Sequence, residues 1–442
     1  MPIAFAGTEV YTHTLATMQK CAGHDVAVVI PHIEYYRPGQ ICEHYVYEGL
    51  DVYQYMESGD PTDRQIHYGI KKPAGLENFR QLMVKMNPDI IHFHELNRSI
   101  GLTTEHVKIA KQQGAKVLLT IHLSFYTCNT NVLVRDGKIC KGIIRERTCS
   151  ICTLKTLHKI PSIVAEPLTV LSTFSGVARF SSILKPGKAT TLLRTPAAIK
   201  RVKSELKVLS EYLDKFVLYG KWYERILLEN GIPGNKITIV PAALVATKKA
   251  KVLKITKPPQ LPIRLVFIGR IQPQKGIHLI IEALRDFSAD EIQIDFYGKQ
   301  EETDYYTQCI KDTKDIKCIT WMGLIERDAV LNTLTRYDIL CLASTFSEMS
   351  PLVIQEAFAA GIPVIASKVY GNMEQVQDRH NGILFEFNSS KSLKEKMGEL
   401  IENPGLIQQM KDNVVSPPGF ELVNECYLQL YSSLFKQQMD PE

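Results

Sequence analysis

No run of about 18 uncharged apolar residues occurs in the sequence, so no membrane-spanning helix is expected. The opening MPIAFAGTEVYTHTLA lacks both a basic start and a long apolar stretch, and does not read as a secretory signal. Internal repeats and low-complexity tracts are also missing, which argues against solenoids and disordered arrays. A charge excess of either sign is small: 52 Lys and Arg stand against 47 Asp and Glu, for a net of +5. That balance permits nucleotide phosphates or anionic lipid as partners and gives no mark of a nucleic-acid binder. Without a secretory signal, the ten cysteines are expected to be reduced, and their spacing decides between metal ligation and burial.

What remains is the composition of an ordinary soluble globular enzyme, 45% hydrophobic and 22% charged over 442 residues. That length predicts two domains of about 200 residues each. The most informative stretch is EMSPLVIQEAFAAGIPVIAS, residues 348–367. Before it, DILCLAS (338–344) reads as a short buried strand. Ser350 offers a hydroxyl that caps free amides, and Pro351 presets a helical φ. Gly361 and Pro363 close the helix, and PVIAS (363–367) resumes as a strand. Glu348 thus falls on a loop at the carboxyl end of a parallel strand, where open α/β sheets bind ligands. Glu356 falls in the following helix, whose start at Ser350, Pro351 and Leu352 is a seat for phosphate.

The rest of the chain keeps a strand–helix rhythm. Strands are predicted at GHDVAVVI (23–30), DVYQY (51–55), PDIIHFHE (88–95), KVLLTIH (116–122) and LTVLS (168–172), with a helix ending near Met86 and another over roughly 101–113. His92, His94 and His122 fall at strand carboxyl ends. Cys149 and Cys152 form a C-x-x-C pair, with Cys128 and Cys140 at longer spacing; structural zinc, unpaired thiols and a disulfide all remain open there. AAIKRVKSELKVLSEYL has a helical period with a basic face, read either as a solvated face or as a peripheral contact with an anionic membrane. After a Lys-, Thr- and Pro-rich linker at 245–262, RLVFIGRIQPQKGIHLIIEAL (264–284) reads strand, Gly269-Arg270, loop, Lys275-Gly276, helix. Further strands are predicted at 292–298 and 317–323, and a last helix from about Phe420 to Phe435.

These motifs resemble the retaining glycosyltransferases of the GT-B type, the family-4-like group, over most of the chain. The resemblance implies an α/β, GT-B architecture of two Rossmann-like doubly wound domains facing across a cleft. It divides the chain into an acceptor-side domain (1–244, with a Cys-rich insertion at 123–160), the linker, a donor-binding domain (263–416) and a helix (417–442) crossing back to the first. It further implies that Arg270 and Lys275 hold the donor diphosphate, that Glu348 contacts sugar hydroxyls and Glu356 the ribose, and that His122 orients the donor sugar. Donor contacts are also implied at Gly7, Thr8, Gly269, Gly323, Leu324, Ser350, Pro351 and Leu352.

The implied reaction is metal-independent, retaining transfer from a nucleotide-diphosphate sugar to a glycan or lipid-linked glycan, in the cytoplasm or peripherally at the inner face of the membrane. A catalytically inactive scaffold and a sugar-nucleotide epimerase are the alternatives. Two departures stand out. A first strand ahead of Gly7 is missing, and Tyr370 replaces the first of two adjacent glycines that relatives carry, leaving Gly371.

Overall fold

Short runs rich in Ile, Val and Leu pair as parallel strands, and the amphipathic segments between them pack as helices. A computed structural model describes residues 7–32, 42–56, 72–98, 101–173, 188–244, 259–299 and 303–436. The strands are β1 (Ala27–His32), β2 (Cys42–Tyr47), β3 (Leu50–Met56), β4 (Ile90–His94), β5 (Lys116–Thr120), β6 (Val134–Arg135), β7 (Lys138–Ile139), β8 (Lys215–Leu218) and β9 (Ile237–Ile239). They continue with β10 (Ile263–Ile268), β11 (Ile292–Tyr297), β12 (Ile319–Gly323), β13 (Ile339–Leu342), β14 (Val364–Ser367) and β15 (Gly382–Phe385). The chain divides into two compact units. One comprises 1–133, 141–240 and 424–442, and the other 134–140 and 241–423.

In the second unit the sheet order is β12-β11-β10-β13-β14-β15, with every pairing parallel. This is the doubly wound order, whose direction of winding reverses between β10 and β13. Both faces of the sheet are covered, one by Leu265, Phe267, Ile280, Phe296 and Met397, the other by Val266, Leu340, Ile354 and Phe358. Continuous apolar strands such as ILCL in β13, buried at all four positions, follow from that double cover. The strands expected at 292–298, 317–323, 338–344 and 363–367 all form, with ends trimmed by one to three residues.

The first unit holds two sheets. One is β4-β5-β8-β9, all parallel, and the other is β1-β3-β2, in which β3 pairs parallel with β1 and antiparallel with β2. The segment ahead of Gly7, where a strand is expected to be missing, lies outside the described residues, as does most of the expected linker, 245–258. The expected helix at 101–113 forms as Thr104–Gln112, opened by a Thr103 capping box with His106.

One expected strand does not form. LTVLS lies within a helix, Ser162–Thr173. Ala165 and Thr169, four residues apart, are its buried face, and it packs against the helices Glu146–His158 and Lys188–Tyr212. Helical packing at that spacing overrides the β-branched composition. No helix among the described residues is long and apolar enough to cross a membrane.

Candidate active site

In the second unit the side chains expected at the donor site gather where the winding reverses. Strand β10 ends at Ile268 and leads through Gly269 to Arg270, whose side chain is exposed. A tight turn, Pro273–Lys275, then aims Lys275 at the loop that follows β13. There Lys275 Nζ lies 2.5 Å from Glu348 Oε1, which also accepts a hydrogen bond from the Ser344 hydroxyl at 2.8 Å. The Lys275 ammonium sits over the Phe346 ring, 5.4 Å from its centre. Glu348 is only 7% exposed, so the pair is mostly withdrawn from water and is held by complementary charge and hydrogen bonding.

Two glycines make this approach possible. Gly276 has φ +68°, and a Cβ there would stand 1.8 Å from the Ala343 carbonyl oxygen. A Cβ on Gly371 would stand 2.2 Å from the carbonyl oxygen of Glu348. The helix Tyr370–Gln375 therefore abuts the Glu348 main chain, and the one glycine retained beside Tyr370 is the one that contact requires.

The helix after Glu348 runs Leu352–Ala359. Its cap differs from the expectation. Pro351 occupies the N-cap position expected of Ser350, so the helix starts one residue later, and no side chain caps it. The Ser350 hydroxyl is instead 3.4 Å from the Gln375 side-chain nitrogen, which draws it toward the neighbouring helix. The first-turn amides stay directed out of the helix start, the arrangement that favours an anion. Glu356 lies in the second turn, partly buried; burial raises its carboxyl above the ordinary range, and the positive charge of Arg327 opposes that rise. Gly323 ends β12 with φ +80°, leaving Leu324 69% exposed beyond it.

The first unit carries the histidines. Glu95 follows β4 with φ +73°, uncommon for a residue with a side chain. Its Oε2 accepts the backbone N–H of His122 at 3.0 Å. His122 lies two residues beyond β5, so the expected strand 116–122 stops at Thr120. His94 Nδ1 is 3.3 Å from His122 Nε2, and the Tyr219 hydroxyl, just past β8, is 3.0 Å from His122 Nδ1. Tyr11, from the helix Gly7–Cys21, packs edge-on against His122 and Tyr219 and donates to the Tyr427 hydroxyl at 3.1 Å. His92 is engaged elsewhere, at 2.7 Å from both the Tyr431 and Thr120 hydroxyls. It serves the packing of the last helix, Phe420–Lys436. Gly7 opens the first helix and is exposed, and the Thr8 carbonyl accepts from the Thr12 hydroxyl at 2.8 Å.

Sequence reasoning missed Glu95, Tyr219, Tyr11 and Tyr427. Tyr219 had a usable signal, since it directly follows a buried strand. Tyr427 had none, because nothing local to a carboxyl-terminal helix reports what it packs against.

Burial pushes the three histidines below their ordinary value of 6.5, His94 to about 3, and pushes Glu95 from 4.5 up to about 7. The two effects have opposite signs. Below pH 6.5 the unfolded chain takes up protons that the buried imidazoles refuse, so stability is lost as pH falls. Glu95 holds a proton that the unfolded carboxyl has released, so its contribution falls as pH rises from 4.5 to 7. Three histidines outweigh one carboxyl. Urea unfolding is expected to lose on the order of 1–3 kcal/mol per pH unit between pH 6.5 and about 5. His94→Gln should flatten that slope, and a wild-type profile that is flat or rises toward acid would contradict neutral burial.

Three of the four cysteines contact main-chain or hydroxyl oxygens. Cys128 Sγ lies 3.2 Å from the Thr130 hydroxyl, Cys149 Sγ 3.9 Å from the Ile143 carbonyl and Cys152 Sγ 3.9 Å from the Thr156 hydroxyl. Among the described residues no group of three or more His, Cys, Asp or Glu side chains is placed to hold a metal ion.

Residues 248–415, which span the Lys275–Glu348 site, match the family Glycosyl transferases group 1. The uncharacterized glycosyltransferase MJ1178 of Methanocaldococcus jannaschii is 32% identical over 151 residues, 34% of this chain and 41% of that protein. The phosphatidyl-myo-inositol mannosyltransferase of Mycobacterium leprae is 25% identical over 148 residues, 33% of this chain and 39% of that protein. The chain thus spans about two-fifths of the length of these relatives. Among solved structures, Anabaena Alr3699/HepE in complex with UDP and glucose superposes with a TM-score of 0.58 at 13% identity, covering 97% of this chain and 96% of that one. The chain has the GT-B fold, and its residues 248–415 match a group 1 glycosyl transferase domain.

Proposed function

We propose that the protein transfers a sugar from a nucleotide-diphosphate donor to a glycan or lipid-linked glycan, with retention of anomeric configuration and without a catalytic metal. The observation that carries this reading is the Lys275–Glu348 pair at the reversal of the doubly wound sheet, inside the group 1 domain and with Lys275 in the same loop as Arg270.

The chemistry follows from those groups. A departing nucleoside diphosphate builds negative charge on phosphate oxygen. Arg270, Lys275 and the amides at Ser350, Pro351 and Leu352 supply fixed positive charge and dipoles to meet it. Glu348 contacts sugar hydroxyls once the diphosphate draws Lys275 away from it. Glu356 receives the ribose and the backbone at Gly269, Gly323 and Leu324 lines the nucleotide; Gly7 and Thr8 are assigned as donor contacts and His122 as the residue that orients the sugar. The Anabaena neighbour bound to UDP and glucose supports a nucleotide-sugar donor, and the mycobacterial relative named for a phosphatidylinositol substrate supports a lipid-borne acceptor.

A peripheral membrane contact fits the helix Lys188–Tyr212. Its Ile199, Val202, Leu206 and Leu209 are buried, while Lys200, Lys203 and Lys207 are exposed. The cytoplasmic, inner-face location expected from the sequence goes with that contact.

Thermal unfolding against UDP, GDP, ADP and CMP tests the donor site. A nucleotide at about a hundred times its dissociation constant stabilises by roughly 2.7 kcal/mol. We expect one of them to raise the Tm of the wild type and to leave Arg270→Ala unmoved. Equal shifts in both proteins, or none in either, would overturn the assignment.

A further inference from the structure

The helix Ser162–Thr173 is apolar on the side that faces water. At about 100° per residue, Ile163, Val164, Pro167, Val170 and Leu171 share one arc of about 120°, and the buried Ala165 and Thr169 fall opposite. Ile163 is 83% exposed, and Val164, Val170 and Leu171 are about half exposed. Pro167 is exposed among them, and Glu166 stands only at the edge of the arc. A surface helix ordinarily turns its apolar stripe to the core and its polar face to water. Exposed apolar residues scattered singly need no account, but a continuous stripe marks an interaction surface.

The charge around the stripe says which kind. Residues 167–204 carry seven Lys and Arg and no Asp or Glu. The helices Glu146–His158 and Lys188–Tyr212 pack against this one, and Arg147 of the first and Lys200, Lys203 and Lys207 of the second are exposed. Lys159, in the turn that leads into the helix, is exposed as well. A second copy of the chain would bring these cations against themselves. Five side chains on one helix also fall short of the roughly 800 Å² that each partner buries in a stable interface. An anionic bilayer meets neither objection. Its acyl boundary accepts aliphatic side chains to a depth of about 5–10 Å, and its headgroups attract the cations. Twelve residues cannot span a bilayer, so such a helix lies in its plane.

We infer that the helix Ser162–Thr173 seats in an anionic lipid surface, with Ile163, Val164, Pro167, Val170 and Leu171 inserted at the acyl boundary. This goes beyond the contact of the basic helix Lys188–Tyr212, which is electrostatic and stays at the headgroups, and it needs no step of sugar transfer. Salt separates the two. The screening length falls from about 10 Å at 0.1 M to about 3 Å at 1 M, which weakens charge attraction and leaves apolar burial in place.

The test is co-sedimentation of the full chain with vesicles of phosphatidylglycerol and phosphatidylcholine, and of phosphatidylcholine alone, at about 0.1 M and about 1 M salt. The wild type is expected to bind the mixed vesicles more tightly than the neutral ones and to stay partly bound to them at high salt. Ile163→Asp with Leu171→Asp leaves the packed face untouched and should lower partition into the mixed vesicles at least about tenfold. Ile163→Trp should shift its emission to the blue when mixed vesicles are added, beyond any shift of the two native tryptophans in the wild type. Equal partition of the wild type and the double variant would overturn the insertion and leave the basic-helix contact standing. Failure of the wild type to bind anionic vesicles would overturn both, and equal binding to neutral vesicles would remove the role of charge on which the inference depends. A wild-type dimer that the double variant loses would assign the stripe to a second copy instead. Should the double variant not fold, vesicle-bound Ile163→Trp without an added blue shift overturns the insertion alone.

Discussion

Arg270→Ala is expected to lower sugar transfer by about a hundredfold or more, the scale seen when one donor of transition-state charge stabilisation is removed. Its Tm should not move, because the Arg270 side chain is exposed at the end of a buried strand. Lys275→Ala is expected to be as inactive but not as innocent. It strands the Glu348 carboxylate, which is 7% exposed and keeps only the Ser344 hydroxyl. Leaving a buried charge unpaired costs on the order of 1–3 kcal/mol or more, so Lys275→Ala should lose stability that Arg270→Ala keeps.

The double variant Lys275→Met with Glu348→Gln separates the two effects. Removing both charges should recover much of the stability while transfer stays absent. Steady-state transfer assays beside urea unfolding of the three proteins check this. Wild-type turnover in Arg270→Ala and Lys275→Ala would sink the diphosphate assignment, and equal stability of the two single variants would sink the buried pair.

Gly276→Ala is expected to be the most damaging single methyl in the second unit. The added Cβ would overlap the Ala343 carbonyl oxygen at 1.8 Å, an atom of main chain in the loop after β13 that has no flexible end to swing aside. The backbone also has φ +68°, costly for any residue with a Cβ. Together these should cost roughly 3 kcal/mol or more, in the range of overpacking added to backbone strain. The same shift would move Lys275 away from Glu348, so donor binding should fall with stability. Gly361→Ala is the control. It shares a positive φ of +74° but meets nothing within 4 Å, so it should show strain without overlap and lose only about 1 kcal/mol. Equal losses in the two variants would show that strain, and not the close approach, governs Gly276.

Much of this was legible in the order of residues. The run DILCLAS, the loop with Glu348, the helix and PVIAS formed one strand-to-strand unit on local signals alone, and the structure keeps them in that order. The same holds for RLVFIGR and its following helix. Such segments are read correctly because a strand buried on both faces has to be apolar throughout, and a glycine with a positive φ marks where a helix stops.

Where local composition pointed one way and neighbours pulled another, the reading failed. LTVLS became helix because Ala165 and Thr169 pack between two other helices, and Ser350 was drawn to Gln375 instead of capping the helix beside it.

By itself, then, the sequence determined the strand and helix order of the second unit, the positions of Arg270, Lys275 and Glu348 at its loop ends, and the place of Glu356 in the helix that follows. Only the tertiary structure decided that Lys275 and Glu348, 73 residues apart, meet at 2.5 Å. It also brought Tyr219, 97 residues from His122, against the imidazole. Local order follows from spacing and backbone preference, which act over a few residues. Contacts between distant loops depend on which strands become neighbours and which glycines let them close.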